Sequence, residues 1–195
     1  DTRLSTWLGP VSPPQTLNTI KVPSINSISP NSFLVCTTNR QIALSNAIPG
    51  RSITWSVNNT YLFATTGGAS TSGTGVTATL RAANATSSGS AILTFTMTQT
   101  GCTDVVVSQT IWIGLPDFNL TYNSEVCVGN YEWAFLDLLG PRETSLGTIE
   151  WIFNGVVTGT GTLTKARFKG ISPGWGEICV RATNGCGERT KCFSV

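Results

Sequence analysis

Ala91-Ile92-Leu93-Thr94-Phe95-Thr96-Met97-Thr98 sets Ala91, Leu93, Phe95 and Met97 against Ile92, Thr94, Thr96 and Thr98. That period of two belongs to a strand, whose side chains leave alternately on opposite faces, and it predicts one buried face and one wet one. Ile178, Val180 and Ala182 alternate with Cys179, Arg181 and Thr183 in the same way. Gly-rich connectors, such as 66–75 and 82–89, recur between such stretches at the spacing of a sandwich of short antiparallel strands.

Working outward, the composition agrees. The 195 residues contain 30 Thr, 19 Ser and 20 Gly but only 11% charged residues, so polarity is carried by hydroxyls and amides, which suits strands and turns better than helices. The net charge of +2, without a lysine-rich run, lacks the electrostatic footprint that nucleic acid or an anionic membrane requires. No apolar run reaches the roughly 18 residues of a bilayer span, so neither nucleic-acid binding nor membrane insertion is expected. The absence of histidine removes His-based acid/base chemistry, Ser-His-Asp and Cys-His nucleophiles and His-ligated metals. The chain begins at Asp1 rather than methionine, as a cleaved signal peptide or a trimmed piece of a longer chain would.

The sequence repeats. Ser52-Ile53-Thr54-Trp55-Ser56-Val57-Asn58 is echoed by Gly147-Thr148-Ile149-Glu150-Trp151-Ile152-Phe153-Asn154, and Gly73-Thr74-Gly75-Val76 by Gly159-Thr160-Gly161-Thr162-Leu163. Val35-Cys36 aligns with Val126-Cys127, and Thr100-Gly101-Cys102-Thr103 with Asn184-Gly185-Cys186-Gly187. Four landmarks in one order, offset by about 84 to 96 residues, make two copies of one unit. Tyr131 to Leu139 tempts a helix reading, but its place after Cys127 matches Gln41-Ile42-Ala43-Leu44 after Cys36, which predicts a strand. Prolines 10, 13, 14 and 23 make a stiff linker, and Gly114-Leu115-Pro116-Asp117 a tight joint. The expected division is 1–24 as an extended N-terminal strand and linker, 25–113 as one sandwich and 117–195 as the other. Ser5-Thr6-Trp7-Leu8-Gly9-Pro10 also echoes Thr110-Ile111-Trp112-Ile113-Gly114-Leu115-Pro116, so the leader is either the last strand of a preceding copy or a chance match.

Six cysteines without a CxxC pair indicate disulfides in an oxidising, extracellular compartment rather than a zinc or redox site. If no bridge crosses the joint, Cys36 must pair with Cys102. The repeat then pairs Cys127 with Cys186 and leaves Cys179 with Cys192. Counting inward from the last pair sets 181 against 190 and 183 against 188 about a turn at Gly185-Cys186, as a cross-strand bridge on a hairpin requires.

A Trp in the third strand, a Cys near the end of the first, Gly-Cys at the last hairpin, the closing Thr110-Ile111-Trp112-Ile113-Gly114-Leu115-Pro116 and the tandem order together resemble a known group. These are the immunoglobulin-like and PKD-like repeats of secreted bacterial cell-surface adhesins, particularly those of gliding bacteria with type IX secretion. The resemblance covers roughly residues 25–195. It implies all-β architecture, two tandem immunoglobulin-like antiparallel β-sandwiches each with a structural disulfide, a bacterial cell-surface location, a role as spacer or adhesive stalk, and no catalytic residues. Two features depart from it. The cysteines do not sit as in antibody domains, and the C-terminal sorting domain of such proteins is not seen and would lie beyond Val195.

Candidate sites are few. Residues 25–113 hold one acid, Asp104, and the acids of the second copy are scattered among cations, so a paired-carboxylate hydrolase is not expected. Calcium loops are absent, and a lone calcium near Asp117 at the joint is left as the one metal alternative. Trp7, Trp112, Trp133 and Trp175 are the residues a carbohydrate-binding module would use, Trp175 standing in the turn-rich Ser172-Pro173-Gly174-Trp175-Gly176. Trp55 and Trp151, flanked by alternating apolar residues, are predicted to be core. The resulting expectation is a non-catalytic, cofactor-free structural or adhesion segment, with neighbouring repeats or like subunits as partners. One rival is a self-assembling filament subunit donating the strand around Leu4, Thr6 and Leu8 to a neighbour. The other is a polysaccharide-binding module using Trp175, Trp112 and Trp7.

Overall fold

The computed structural model describes residues 21–27, 33–138 and 147–195. Leu4, Thr6, Trp7 and Leu8, the proposed donor strand and one of the glycan-contact tryptophans, lie outside the described residues. Apart from one 3-10 turn at Thr60–Leu62, the regular structure described is all strand.

The first half contains β1 (Ser24–Ser27), β2 (Leu34–Val35), β3 (Arg40–Ser45), β4 (Ser52–Val57), β5 (Ser72–Thr74), β6 (Thr77–Leu80), β7 (Ser88–Thr98) and β8 (Val105–Gly114). They form two sheets, ordered β1-β3-β6 and β2-β8-β7-β4-β5. The alternation read from 91–98 sends Ala91, Leu93, Phe95 and Met97 into the space between the sheets, where they meet Ile42, Leu44, Ala78 and Leu80 from the other layer. All pairings are antiparallel except that of β2, which lies parallel to the end of β8, Leu34 opposite Trp112 and Val35 opposite Ile113.

The second half contains β9 (Phe118–Tyr122), β10 (Tyr131–Leu138), β11 (Ile149–Gly155), β12 (Val157–Gly161), β13 (Lys165–Gly170), β14 (Gly176–Asn184) and β15 (Gly187–Ser194). Its sheets are ordered β9-β10-β13-β12 and β11-β14-β15. In chain-order letters these are A-B-E-D facing C-F-G, the strand order of a seven-stranded immunoglobulin sandwich. The first half keeps A-B-E opposite C-F-G but moves its fourth-connection strand, β5, beside β4. β10 is the strand that the repeat predicts: Ala134 and Leu136 point into the core while Tyr131, Trp133 and Phe135 point out.

The recurrence of the Gly-Thr-Gly motif has a steric cause in each copy. Trp55 on β4 lies opposite Gly73, and a Cβ added there would fall 2.8 Å from the indole. At Gly161 a Cβ would fall 2.1 Å from Trp151. The Trp151 indole N–H donates to the Thr162 carbonyl at 2.6 Å. Each copy thus leaves a strand bare of side chain where its tryptophan crosses over. Trp55 is buried, whereas Trp151 is half-buried, at the margin of its core. Gly161→Ala is expected to lower the unfolding free energy by about 1–3 kcal/mol through overpacking, read from the midpoint of urea denaturation.

Candidate functional site

The distinctive site is the joint between the two sandwiches. β8 ends at Gly114, where φ is 74° and a Cβ would land 1.8 Å from the Ser87 carbonyl oxygen, so only glycine allows this close approach. The chain is pinned immediately afterwards. Leu115 N–H donates to the Ser87 carbonyl at 3.1 Å, and the Ser88 hydroxyl donates to the Leu115 carbonyl at 2.7 Å.

The turn between β14 and β15 meets this exit from the other side. The Asn184 amide donates to the Gly114 carbonyl at 2.9 Å, while its side-chain oxygen accepts from Cys186 N–H at 2.8 Å. Arg189 donates to the Asp117 carboxylate at 3.2 Å and to the Thr86 carbonyl at 3.1 Å, linking the joint to the first sandwich. Lys191 donates to the same carboxylate oxygen at 2.8 Å and to the Phe118 carbonyl at 2.6 Å. These groups are partly buried, so solvent screens them less than it screens a fully wet ion pair, which contributes about 0–1 kcal/mol. Both side-chain cations, and the Phe118 N–H, meet Oδ1 of Asp117, so the charge of this acid is already compensated by the protein.

A disulfide closes the joint. Cys36, just past β2, is bonded to Cys186 in the β14–β15 turn, with their Cα atoms 5.2 Å apart. This corrects the pairing of Cys36 with Cys102 and of Cys127 with Cys186; Cys102 and Cys127 are free and exposed. The physical reason is strand length. Cys102 precedes β8, whereas Cys36 sits beside the far end of β8 at Trp112–Ile113. Ten residues at ~3.3 Å each put them roughly 30 Å apart, and a disulfide spans less than ~7 Å between Cα atoms. Cys127 lies by Gly170 at the end of the second sandwich away from the joint, a β14 length from Cys186. The first sandwich accordingly has no disulfide of its own. Cys179 is bonded to Cys192, in the register counted from the sequence, with Arg181 opposite Thr190 and Thr183 opposite Glu188. Glu177 lies beside this pair, but both sulfurs are spent in the bridge and no thiolate remains to hold a metal.

The aromatic candidates separate. Trp112 is only 4% exposed, its backbone paired with Leu34 and its N–H donating to the Phe33 carbonyl, and it offers no face to a sugar. Trp175 is 83% exposed on the β13–β14 connection, at the rim of an open cleft of about 260 Å³ lined also by Val128, Val156 and Pro173. Trp133 is 44% exposed, but Lys165 lies over its ring at 5.0 Å and Phe135 stacks beside it at 6.5 Å. Arg167 covers Tyr131 in the same manner at 3.8 Å. The cations of β13 thus occupy the outer faces of two β10 aromatics, a pairing set by cross-strand register that period two alone does not reveal.

Sequence reasoning missed Asn184, Arg189 and Lys191 as joint residues. The available signal was the shortness of Gly114-Leu115-Pro116, which forces the last turn of the second copy against the end of the first.

No protein-family model matches the chain, and no curated protein matches it. Among solved structures, the D00-D0 domain of intimin aligns over 89% of this chain and 98% of that one at 11% identity, with a TM-score of 0.41. Murine CEACAM1b aligns over 89% and 98% at 15% identity, with a TM-score of 0.38. A titin I-band fragment, I67-I69, aligns over 88% of this chain and 64% of that one at 11% identity, with a TM-score of 0.32. Superpositions this loose assign neither a family nor a role.

If the protein is alkylated before any oxidant is added, peptide mapping without reduction is expected to find Cys36 linked to Cys186, Cys179 linked to Cys192, and label on Cys102 and Cys127 alone. A Cys36–Cys102 peptide would contradict the joint described above.

Proposed function

We propose that the chain is a non-catalytic, extracellular spacer that transmits load, part of the stalk of a bacterial cell-surface adhesin. The observation that carries this reading is the disulfide from Cys36 to Cys186, which ties the end of one sandwich to the turn of the next. A flexible linker lets neighbouring domains swing, whereas a joint with a three-residue connection, a shared carboxylate and a covalent bridge carries force along both units. The bridge closes a loop of 150 residues, and in the chain-entropy account such a loop destabilises the unfolded state by about 5 kcal/mol. Two disulfides also fit an oxidising compartment outside the cell. Among the described residues no helix is long and apolar enough to cross a membrane.

The Cys36→Ser/Cys186→Ser double variant is expected to keep both sandwiches folded while its small-angle scattering broadens from one rigid shape to an ensemble of interdomain angles. Scattering unchanged by the double substitution would remove the basis of the spacer reading.

One observation favours a second reading. Trp175 stands exposed beside a cleft that mixes valines with Ser124, Glu125 and Ser172, the arrangement that lets a flat indole stack on a sugar ring while polar groups meet its edge. If the chain is a polysaccharide-binding module, Trp175→Ala abolishes its retention on an immobilised polysaccharide with stability unchanged to within ~0.5 kcal/mol. Equal retention of wild type and variant would discard that reading.

A further inference from the structure

Each sandwich carries one cysteine at either end, in matching places. In the turn between its last two strands lies Cys102 in the first copy and Cys186 in the second, each directly after a glycine, Gly101 or Gly185. Just before the second strand of its A-B-E layer lies Cys36 or Cys127. Cys36 accepts from Ala82 N–H at 2.8 Å, just past β6. Cys127 is followed by Val128, which bridges to Gly170 at the end of β13. β6 and β13 are the same strand of the two copies.

The two positions also mark opposite ends of the unit. The turn cysteine lies where the chain enters: Phe118 begins β9 at the Cys186 end, and Ser24 begins β1 at the Cys102 end, opposite Ser45. The other cysteine lies where the chain leaves. Gly114 closes β8 beside the Leu34–Val35 segment next to Cys36. Val195 pairs with Gly176 and, together with Val126 and Val128, walls the cleft at the Cys127 end. The bridge at the joint thus joins the downstream cysteine of one unit to the upstream cysteine of the next. The two left over are an upstream cysteine, Cys102, and a downstream cysteine, Cys127, both exposed. They cannot meet within one chain, because each lies a full strand away from the joint, on opposite sides of it.

We propose that Cys102 and Cys127 are the two halves of an inter-unit disulfide of the Cys36–Cys186 kind, each reserved for another unit of this same repeat. Cys127 receives the turn cysteine of the unit that follows, and Cys102 bonds the downstream cysteine of the unit that precedes. Such a contact is heterologous, since the two surfaces differ, and a heterologous contact that does not close on itself propagates into an open chain. The proposal rests on the spacer reading and names the partner chemistry: a second immunoglobulin-like unit presenting a thiol at the complementary end. Bond formation needs a disulfide oxidant, and glutathione disulfide serves. Cys102 thiolate attacks it, forming a mixed disulfide and expelling one glutathione thiolate. Cys127 thiolate of the neighbouring unit then attacks the Cys102 sulfur and expels the second. Two protein thiols and one glutathione disulfide become one protein disulfide and two glutathione thiols, which take up the two protons.

The test uses two single variants of the 195-residue chain, Cys102→Ser, which retains Cys127, and Cys127→Ser, which retains Cys102. Each is oxidised with glutathione disulfide alone and in an equimolar mixture, and the products are separated without reduction. The mixture is expected to give heterodimer at about ten-fold excess over either homodimer, the ratio set by about 1.4 kcal/mol of preferred docking. Wild-type protein treated alike is expected to form a ladder beyond the dimer. Homodimers forming as readily as the heterodimer, or no coupling although both thiols react with an alkylating agent, would overturn the proposal. Scattering of the monomeric Cys102→Ser/Cys127→Ser variant, in which the Cys36–Cys186 bridge persists, is the separate control. A single rigid shape there with no coupling in the mixture refutes the inter-unit link alone, whereas a broad ensemble refutes the spacer reading itself.

Discussion

The turn between β14 and β15 is the contact on which the arrangement of the molecule depends. It supplies Cys186 to the bridge, and its flanks supply Asn184 to the Gly114 carbonyl and Arg189 and Lys191 to Asp117. None of these interactions belongs to the core of either sandwich. The polar ones converge on four residues, Gly114 to Asp117, that would otherwise act as a hinge, and the bridge reaches Cys36, next to β2 at the end of β8. The glycine lets the backbone pass against Ser87, and the carboxylate then collects two cations, Arg189 and Lys191. A covalent bond placed over this polar cluster keeps the cluster assembled, because separating the units would have to break every contact together.

The two sandwiches reach their stability by the same alternation but finish their edges differently. β2 covers the end of β8 in the first, whereas β15 has no such strand beside it among the described residues. The Gly-Thr-Gly segment joins β4 in the first unit and β13 in the second. In both it leaves room for the tryptophan, so the steric demand of the indole survives a change of hydrogen-bonding partner. The second unit also carries its own bridge, Cys179–Cys192, pinning the hairpin whose tip makes the joint. A frayed hairpin would move Cys186 and Asn184 together, so this local bond supports the distant one.

The sequence by itself determined the strand character, because a period of two places Leu93, Phe95 and Met97 on one face whatever they pack against. It determined the repeat, the strand at Tyr131 to Leu138, and the hairpin bridge, since register along one hairpin follows from counting. What lay beyond counting was decided by the tertiary structure. Pairing Cys36 with Cys102 rested on keeping bridges inside a unit, and the length of β8 forbids it. Trp112 alternates with Ile111 and Ile113, so a period of two would leave it on the outer face, yet it is buried at the edge where β2 pairs, whereas Trp175 faces water. Spacing along a chain reports which face a residue takes. Only the meeting of chain ends across the joint decides which cysteine, carboxylate or indole finds a partner there, because those partners lie some seventy to one hundred and fifty residues apart.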